Sequence, residues 1–288
     1  MVLKKYKMKN LILTLFTICM LNPFFAQIKT PQPSPTCTIQ QTVGVTDVSI
    51  TYSRPGAKGR TIFGDLVPYN KMWRTGANKA TSIRFGDDVV FGESKVKKGT
   101  YSLFTIPGEN EWNVVLNSET ELWGAGDYNK DNEITSIKVK ANKTADFTES
   151  FTIDFTAFTS FGAMMSLSWE NTQINIPIMT LGKENLANQF KKELVDGPDA
   201  GLYYNGARFY LENNLDLALA LEWINVATEK RPEAFWMQYQ KARILGKSGN
   251  KKEAIQAAEK VISVASEKED DYGYIARAEK LIKELKAK

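Results

Sequence analysis

SFTIDFTAFTSFGAMMSLSWENTQINIPIM, residues 150–179, decides the reading of the first part of the chain. Within it SFTIDFT, AMMSLSW and QINIPIM each alternate apolar or aromatic residues with polar ones at a period of two, the pattern of a half-buried strand rather than of a helix. The same alternation recurs upstream in DVSITYS (47–53), TSIRF (81–85), TYSLFTIP (100–107), EWNVVLN (111–117) and TSIKVKA (135–141), with glycine or proline between the runs. No helical pattern separates them, which argues against a parallel α/β sheet. The prediction is an antiparallel β-sandwich or barrel-like domain over residues 37–180. Trp112, Trp123 and Trp169 are expected to fill its core.

After Thr180 the period changes. Ala, Leu, Glu and Lys recur at three-to-four spacing, so residues 181–288 are read as all-helical. Ala220, Ile224, Ala227 and Pro232 are followed by Ala254, Ala258 and Val261 one period of about 34 residues later, and Ala276 stands the same distance after Ala242. This part resembles the tetratricopeptide repeat family, with Arg208 in place of a small residue in the first unit. The arithmetic predicts two helical hairpins and a final helix from Asp271 to Lys288. The resemblance implies contact with a protein or peptide partner; a packing module that shields the β domain or joins two copies is the competing reading.

At the other end, Lys4, Lys5, Lys7 and Lys9 precede the apolar run from Leu11 to Leu21 and the small residue Ala26. This is the pattern of a signal peptide over residues 1–26, cleaved after Ala26, and predicts an exported protein, periplasmic or extracellular and not membrane-spanning. Residues 27–36 form a proline-rich lead-in, expected to be extended and mobile. The leader also carries the net charge. Of 37 basic residues, removing its four lysines leaves 33, against 33 acidic ones, so the sequence pI near 8.8 gives no support for nucleic-acid binding. With Cys19 in the leader, Cys37 is the one remaining thiol, and no intramolecular disulfide can form. Histidine is absent, which removes the usual triads and the common zinc sites; the sequence calls for no cofactor and no metal.

The neutral total hides a pattern. From Arg54 to Arg84 there are seven basic residues against Asp65 alone, and from Glu109 to Glu133 seven acidic residues against Lys130 alone. If the two segments face each other they pair, and Arg74 gains an internal partner there; if not, the first is an anion site. Glycine- and proline-rich loops of this kind let arginine forks converge on a carboxylate, phosphate or sulfate. Arg54, Arg60 and Arg74 are therefore anion-binding candidates, Tyr69 and Trp73 stacking surfaces, and Asn78 an organiser of the loop. A structural reading stands beside it, in which the arginines bridge loop carbonyls, Trp73 turns into the core, and Arg74 and Asn78 order the loops around it. DYNKDNE, residues 127–133, is read as an Asx-rich turn, since Asn132 and Lys138 stand where a calcium loop needs glycine and glutamate. Glu119 and Glu121, two apart, could share a strand face as a carboxylate pair.

The runs SRPGAKGRTIFGDLVPYNKMWRTGANKAT (53–81), KKGTYSLFTIPGENEWNVVLN (97–117) and LWGAGDYNKDNE (122–133) resemble the bacterial domain of unknown function 2911, common in exported proteins, over about Gln27 to Thr180. The resemblance implies a β-rich exported domain and brings no catalytic residue. The expectation is thus a non-enzymatic binding or scaffold protein, its β domain taking a small anionic, glycan or peptide ligand and its helical repeats contacting a protein partner. The alternative is a hydrolase of envelope polysaccharide using carboxylates such as Glu119, Glu121 or Asp127.

Overall fold

The computed structural model describes residues 30–195 and 197–287. The leader read over residues 1–26, with Cys19, lies outside the described residues. Among the described residues nine strands form one antiparallel sheet: β1 (Thr36–Val43), β2 (Thr46–Ser53), β3 (Thr81–Phe85), β4 (Val89–Phe91), β5 (Ser94–Val96), β6 (Gly99–Ile106), β7 (Glu111–Asn117), β8 (Glu133–Thr159) and β9 (Gly162–Thr180). Their order across the sheet is β1-β2-β3-β6-β7-β8-β9-β4-β5.

TSIKVKA and SFTIDFT are parts of the single long strand β8, and AMMSLSW and QINIPIM are parts of β9. The runs read as separate because β8 changes partner and register along its length. Glu133–Lys140 pairs with β7, whereas Ala141–Thr159 pairs with β9, with register shifts after Lys143, Thr148 and Thr156. Such bulges bend a strand without ending it. The bend brings the sheet back on itself: Ala57 N–H donates to Glu149 O at 2.7 Å, Phe151 N–H to Pro55 O at 2.9 Å, and Gly56 bridges Ser150. The sandwich- or barrel-like layering follows from this closure.

The alternate residues supply the interior. Ile50, Ile83, Leu103, Val114, Met165 and Ile176 are fully buried between the layers. At the centre Trp73 stacks on Trp169 with centroids 5.9 Å apart, and Phe63 meets Trp112 edge-on at 4.8 Å. Trp123 departs from expectation. It is 73 % exposed, because it sits in a glycine-flanked loop rather than on a strand's inner face. Strand β6 is apolar on both faces: Tyr101 and Leu103 face the main core, while Phe104 joins Ala80, Val115 and Leu122 in a second cluster. That cluster lies on the sheet's outer face, roofed by the loop of residues 118–132.

Six helices follow among the described residues: α1 (Gly182–Glu193), α2 (Ala200–Glu212), α3 (Leu217–Lys230), α4 (Phe235–Lys247), α5 (Lys251–Ala265) and α6 (Tyr274–Ala287). Asp199 and Asp216 cap α2 and α3, each accepting two backbone N–H groups. The pairs α2–α3 and α4–α5 pack as hairpins, and α6 covers α5. Ala220, Ala227, Ala242, Ala254 and Ala258 are all fully buried in the helical part. Ala276 is not: it is exposed, and Ala278 is the buried alanine of α6. The longer connection of residues 266–273 shifts the last helix off a strict period. In α2 the buried small residues are Gly206 and Ala207, which leaves Arg208 outside. Phe161, beyond β8, meets Phe209 of α2 edge-on at 5.9 Å, joining the sheet to the helices. No helix among the described residues is long and apolar enough to cross a membrane.

Candidate ligand site

Residues 54–80 connect β2 to β3 and carry most of the sequence-predicted site. Their backbone is tightly turned. Lys58, Asn70, Thr75 and Asn78 all adopt left-handed φ values between 51° and 59°. Thr75 is the exceptional one, since a β-branched side chain resists that conformation. It is held there by burial and hydrogen bonds: its hydroxyl lies 3.1 Å from Thr105 Oγ1, and its carbonyl accepts from Thr81 Oγ1. The surroundings thus over-determine a strained turn, a feature that clusters at functional sites.

The turn sets the directions of its neighbours. Trp73 exchanges both backbone hydrogen bonds with Thr105, at 2.8 and 2.9 Å, as an added rung beside β6. Side chains alternate across a strand, so Trp73 enters the core while Met72 and Arg74 go to the outer face. Trp73 Nε1 donates to Gly76 O at 3.0 Å, which fixes its ring. Trp73 is therefore a core residue and not an exposed stacking surface.

The three arginines engage different elements. Arg54 reaches across to β8, with Nε donating to Phe151 O at 3.2 Å and Nη2 to Thr152 Oγ1 at 2.6 Å. Arg60 binds carbonyls of its own loop, Ala57 O at 3.0 Å and Gly56 O at 2.7 Å. Both fit the structural reading, in which arginines satisfy loop carbonyls. Asn78 likewise ties the loop together, its Nδ2 donating to Ser53 Oγ at 3.2 Å and to Ser34 O at 3.4 Å; with Arg54 N–H on Pro35 O at 2.9 Å, this anchors the end of the lead-in. Tyr69 packs over Gly64, whose φ is +94°. Burial pushes its phenol pKa up, and the carboxylates of Glu109 and Glu170 add to the effect.

Arg74 is different. Its Nε is buried with no hydrogen-bond partner, and its guanidinium forms no ion pair among the described residues. The pairing expected with the acidic segment goes to other residues: Lys79 takes Glu121 at 2.8 Å and Lys138 takes Glu111 at 3.0 Å. Around Arg74 the roof loop is well fixed. Ala80 N–H donates to Leu122 O at 3.0 Å, Asn117 Nδ2 to Asn129 O at 2.9 Å, and Asn129 Oδ1 accepts from Asp131 N–H in an Asx turn. Gly124 takes φ +102°, and a Cβ there would stand 3.9 Å from Arg74 Nη1. The adjacent residue is the exposed Trp123.

Tyr128 completes the roof. It meets Phe104 edge-on at 5.1 Å and donates its hydroxyl to Glu133 Oε2 at 2.8 Å. Burial, with the hydrogen bond to Glu133 and its charge, pushes the phenol up to about 12. On the same outer face Ser102 is fully buried with an unpartnered Oγ. Thr75, Tyr128 and Ser102 carry no signal in the sequence that marks them. Glu119 and Glu121 do not share a strand face; they sit on the exposed roof loop, where Glu119 Oε1 accepts from Glu121 N–H at 3.1 Å. Asp127 is exposed on the same loop.

Residues 34–178, half of the chain, match the family model described as Protein of unknown function (DUF2911). The chain belongs to this family. No curated protein matches it. The DUF2911 span begins at Ser34, the residue tied down by Asn78, and ends in β9, so it contains the strained turn, the outer-face cluster and its roof. The helices lie beyond it.

Proposed function

We propose that the protein is an exported, non-enzymatic binding or scaffold protein whose DUF2911 region takes a small anionic ligand at Arg74, and whose helices contact a protein partner as tetratricopeptide-like repeats. One observation carries the ligand reading. Arg74 presents a guanidinium with a buried, unpartnered Nε, near Gly124 of the loop that carries the exposed Trp123 and next to the left-handed Thr75. A buried donor without a partner is costly, and the guanidinium of this half-buried residue has the charge and fork geometry that take a carboxylate, phosphate or sulfate. A glycan or peptide carrying such a group fits the same chemistry, with Trp123 offering a ring face. Arg54, Arg60 and Asn78 then act as the frame of the site, and Trp73 as its anchor in the core.

The helical reading is supported by the buried small residues of α2 to α6 and by a cavity of about 480 Å³ between α2, α4 and α6, where Arg243 and Lys247 stand among Leu211, Leu281 and Leu285. Nothing favours the carboxylate hydrolase, because Glu121 is engaged by Lys79 on an exposed loop.

Thermal-shift titration of the protein with sulfate, phosphate, citrate and glucuronate tests the ligand reading. At least one anion should raise the melting temperature saturably, and Arg74→Met should abolish that rise. A rise that survives the substitution, or the absence of any rise, would remove the site.

A further inference from the structure

A cavity of about 730 Å³ opens in the helical part, where the start of α4 faces the α5–α6 connection. Its walls are aromatic and acidic: Phe235, Trp236 and Tyr272 alternate with Glu233, Glu269 and Asp270, and Lys268 is the one cation among its lining residues. Glu233 is paired with Arg231, so two carboxylates against one ammonium remain, and Glu269 and Asp270 form no ion pair among the described residues. Tyr272 is 68 % exposed. Aromatic faces and carboxylates in one concavity recognise cations, the ring quadrupole and the charge acting on the same group.

The protein carries an example of this recognition at the edge of the cavity. The Cζ of Arg231 stands 5.5 Å from the Trp236 ring centroid, and its Nε lies 3.4 Å from Glu233 Oε1. One guanidinium is thus already held by a ring and a carboxylate of the wall. The remaining wall carries the same residue types, the Tyr272 ring with the Glu269 and Asp270 carboxylates, of which Asp270 Oδ1 accepts from Tyr272 N–H at 2.8 Å.

We propose that this cavity binds an arginine or lysine side chain of a protein partner, with the cationic head against the Tyr272 ring and the Glu269 and Asp270 carboxylates. A cavity of about 730 Å³ is larger than one cationic head fills, which favours a peptide segment over a free amine. The proposal uses residues remote in sequence from Arg74 and stands independently of the anion site.

Fluorescence anisotropy of the full chain with a labelled acetyl-Gly-Gly-Arg-Gly-Gly-amide peptide, and with its citrulline counterpart, tests it. The arginine peptide should bind saturably, the neutral citrulline peptide at least several-fold more weakly, and added salt should weaken the first more than the second. Tyr272→Ala should lower affinity roughly three- to fivefold. The double change Glu269→Gln with Asp270→Asn should lower it further. These are exposed positions, so an unaltered dichroism spectrum verifies the fold of each variant. Equal binding of the citrulline peptide, no saturable binding, or full affinity in Tyr272→Ala would overturn the proposal. Competition by free argininamide as effective as by the peptide would overturn its partner half.

Discussion

Arg74→Met separates holding a ligand from holding the fold. In the structure Nε is buried and unpartnered, so the substitution breaks no hydrogen bond at that atom. Methionine keeps an unbranched apolar stem in the same space and removes the donor. A buried, unsatisfied polar group costs about 1–3 kcal/mol, and the half-buried state of the residue places the relief near the bottom of that range. The expected result is an unfolding free energy raised by about 1 kcal/mol, equivalent to roughly 2–4 °C for a protein of this size. Arg54→Met is the control. It removes donors from Phe151 O and Thr152 Oγ1 and should lower stability by about 1.5–3 kcal/mol. Urea titrations followed by near-ultraviolet dichroism of the Trp73–Trp169 stack measure both. If Arg74→Met lost more than about 1 kcal/mol, the guanidinium would be a structural brace, and the inference from its missing partner would fail.

Three further outcomes are expected. Tyr128 has a folded pKa near 12 against 10.0 for a free phenol, so its contribution is fully present below pH 10 and is lost as pH rises towards 12; Tyr128→Phe should flatten that alkaline loss of stability, and an unchanged pH profile would refute the assignment. Gly64→Ala should cost about 1–3 kcal/mol in a urea titration, because φ is +94° and the new Cβ would sit 2.8 Å from the Tyr69 ring; a neutral substitution would show that the ring moves freely. Trp123→Ala should change stability by no more than about 0.5 kcal/mol, since the side chain is exposed, yet weaken any anion-induced thermal shift. A large loss of stability would place that ring in a packing role.

Period-two alternation was enough to read the β architecture, because a strand with one buried face must write it into every second residue. It could not reveal that β8 and β9 are continuous, since bulges interrupt the alternation without interrupting the strand. The hairpin β4–β5 escaped because three residues per strand are too few to show a period. Trp123 was misplaced for a related reason: its chemistry argues for burial, but its glycine-flanked loop lies outside any alternating run. Repeat spacing located the buried alanines of α3 to α5 and missed Ala278, where a longer connection changed the phase. For the candidate site, local charge excess marked the arginines, but only folding decides which lysine reaches which carboxylate. Lys79 reaches Glu121, while Arg74 forms no ion pair among the described residues.

The pairing of β4 with β9 has a consequence for the order of events during synthesis. Val89–Phe91 pairs on one edge with the adjacent β5, but on its other edge Val89 meets Thr180, so the β4–β5 hairpin joins the sheet only when the chain reaches the end of β9. Before β9 is made, β8 likewise has no β9 partner from Ala141 onward, a long edge with Phe151, Ile153 and Phe155 that is covered progressively from Gly162 to Ile174. A nascent or truncated chain ending before β9 would present that edge to other copies, the situation in which strands template aggregation. The last residues of the sheet act as a closing stitch, and the first helix begins two residues after it at Gly182.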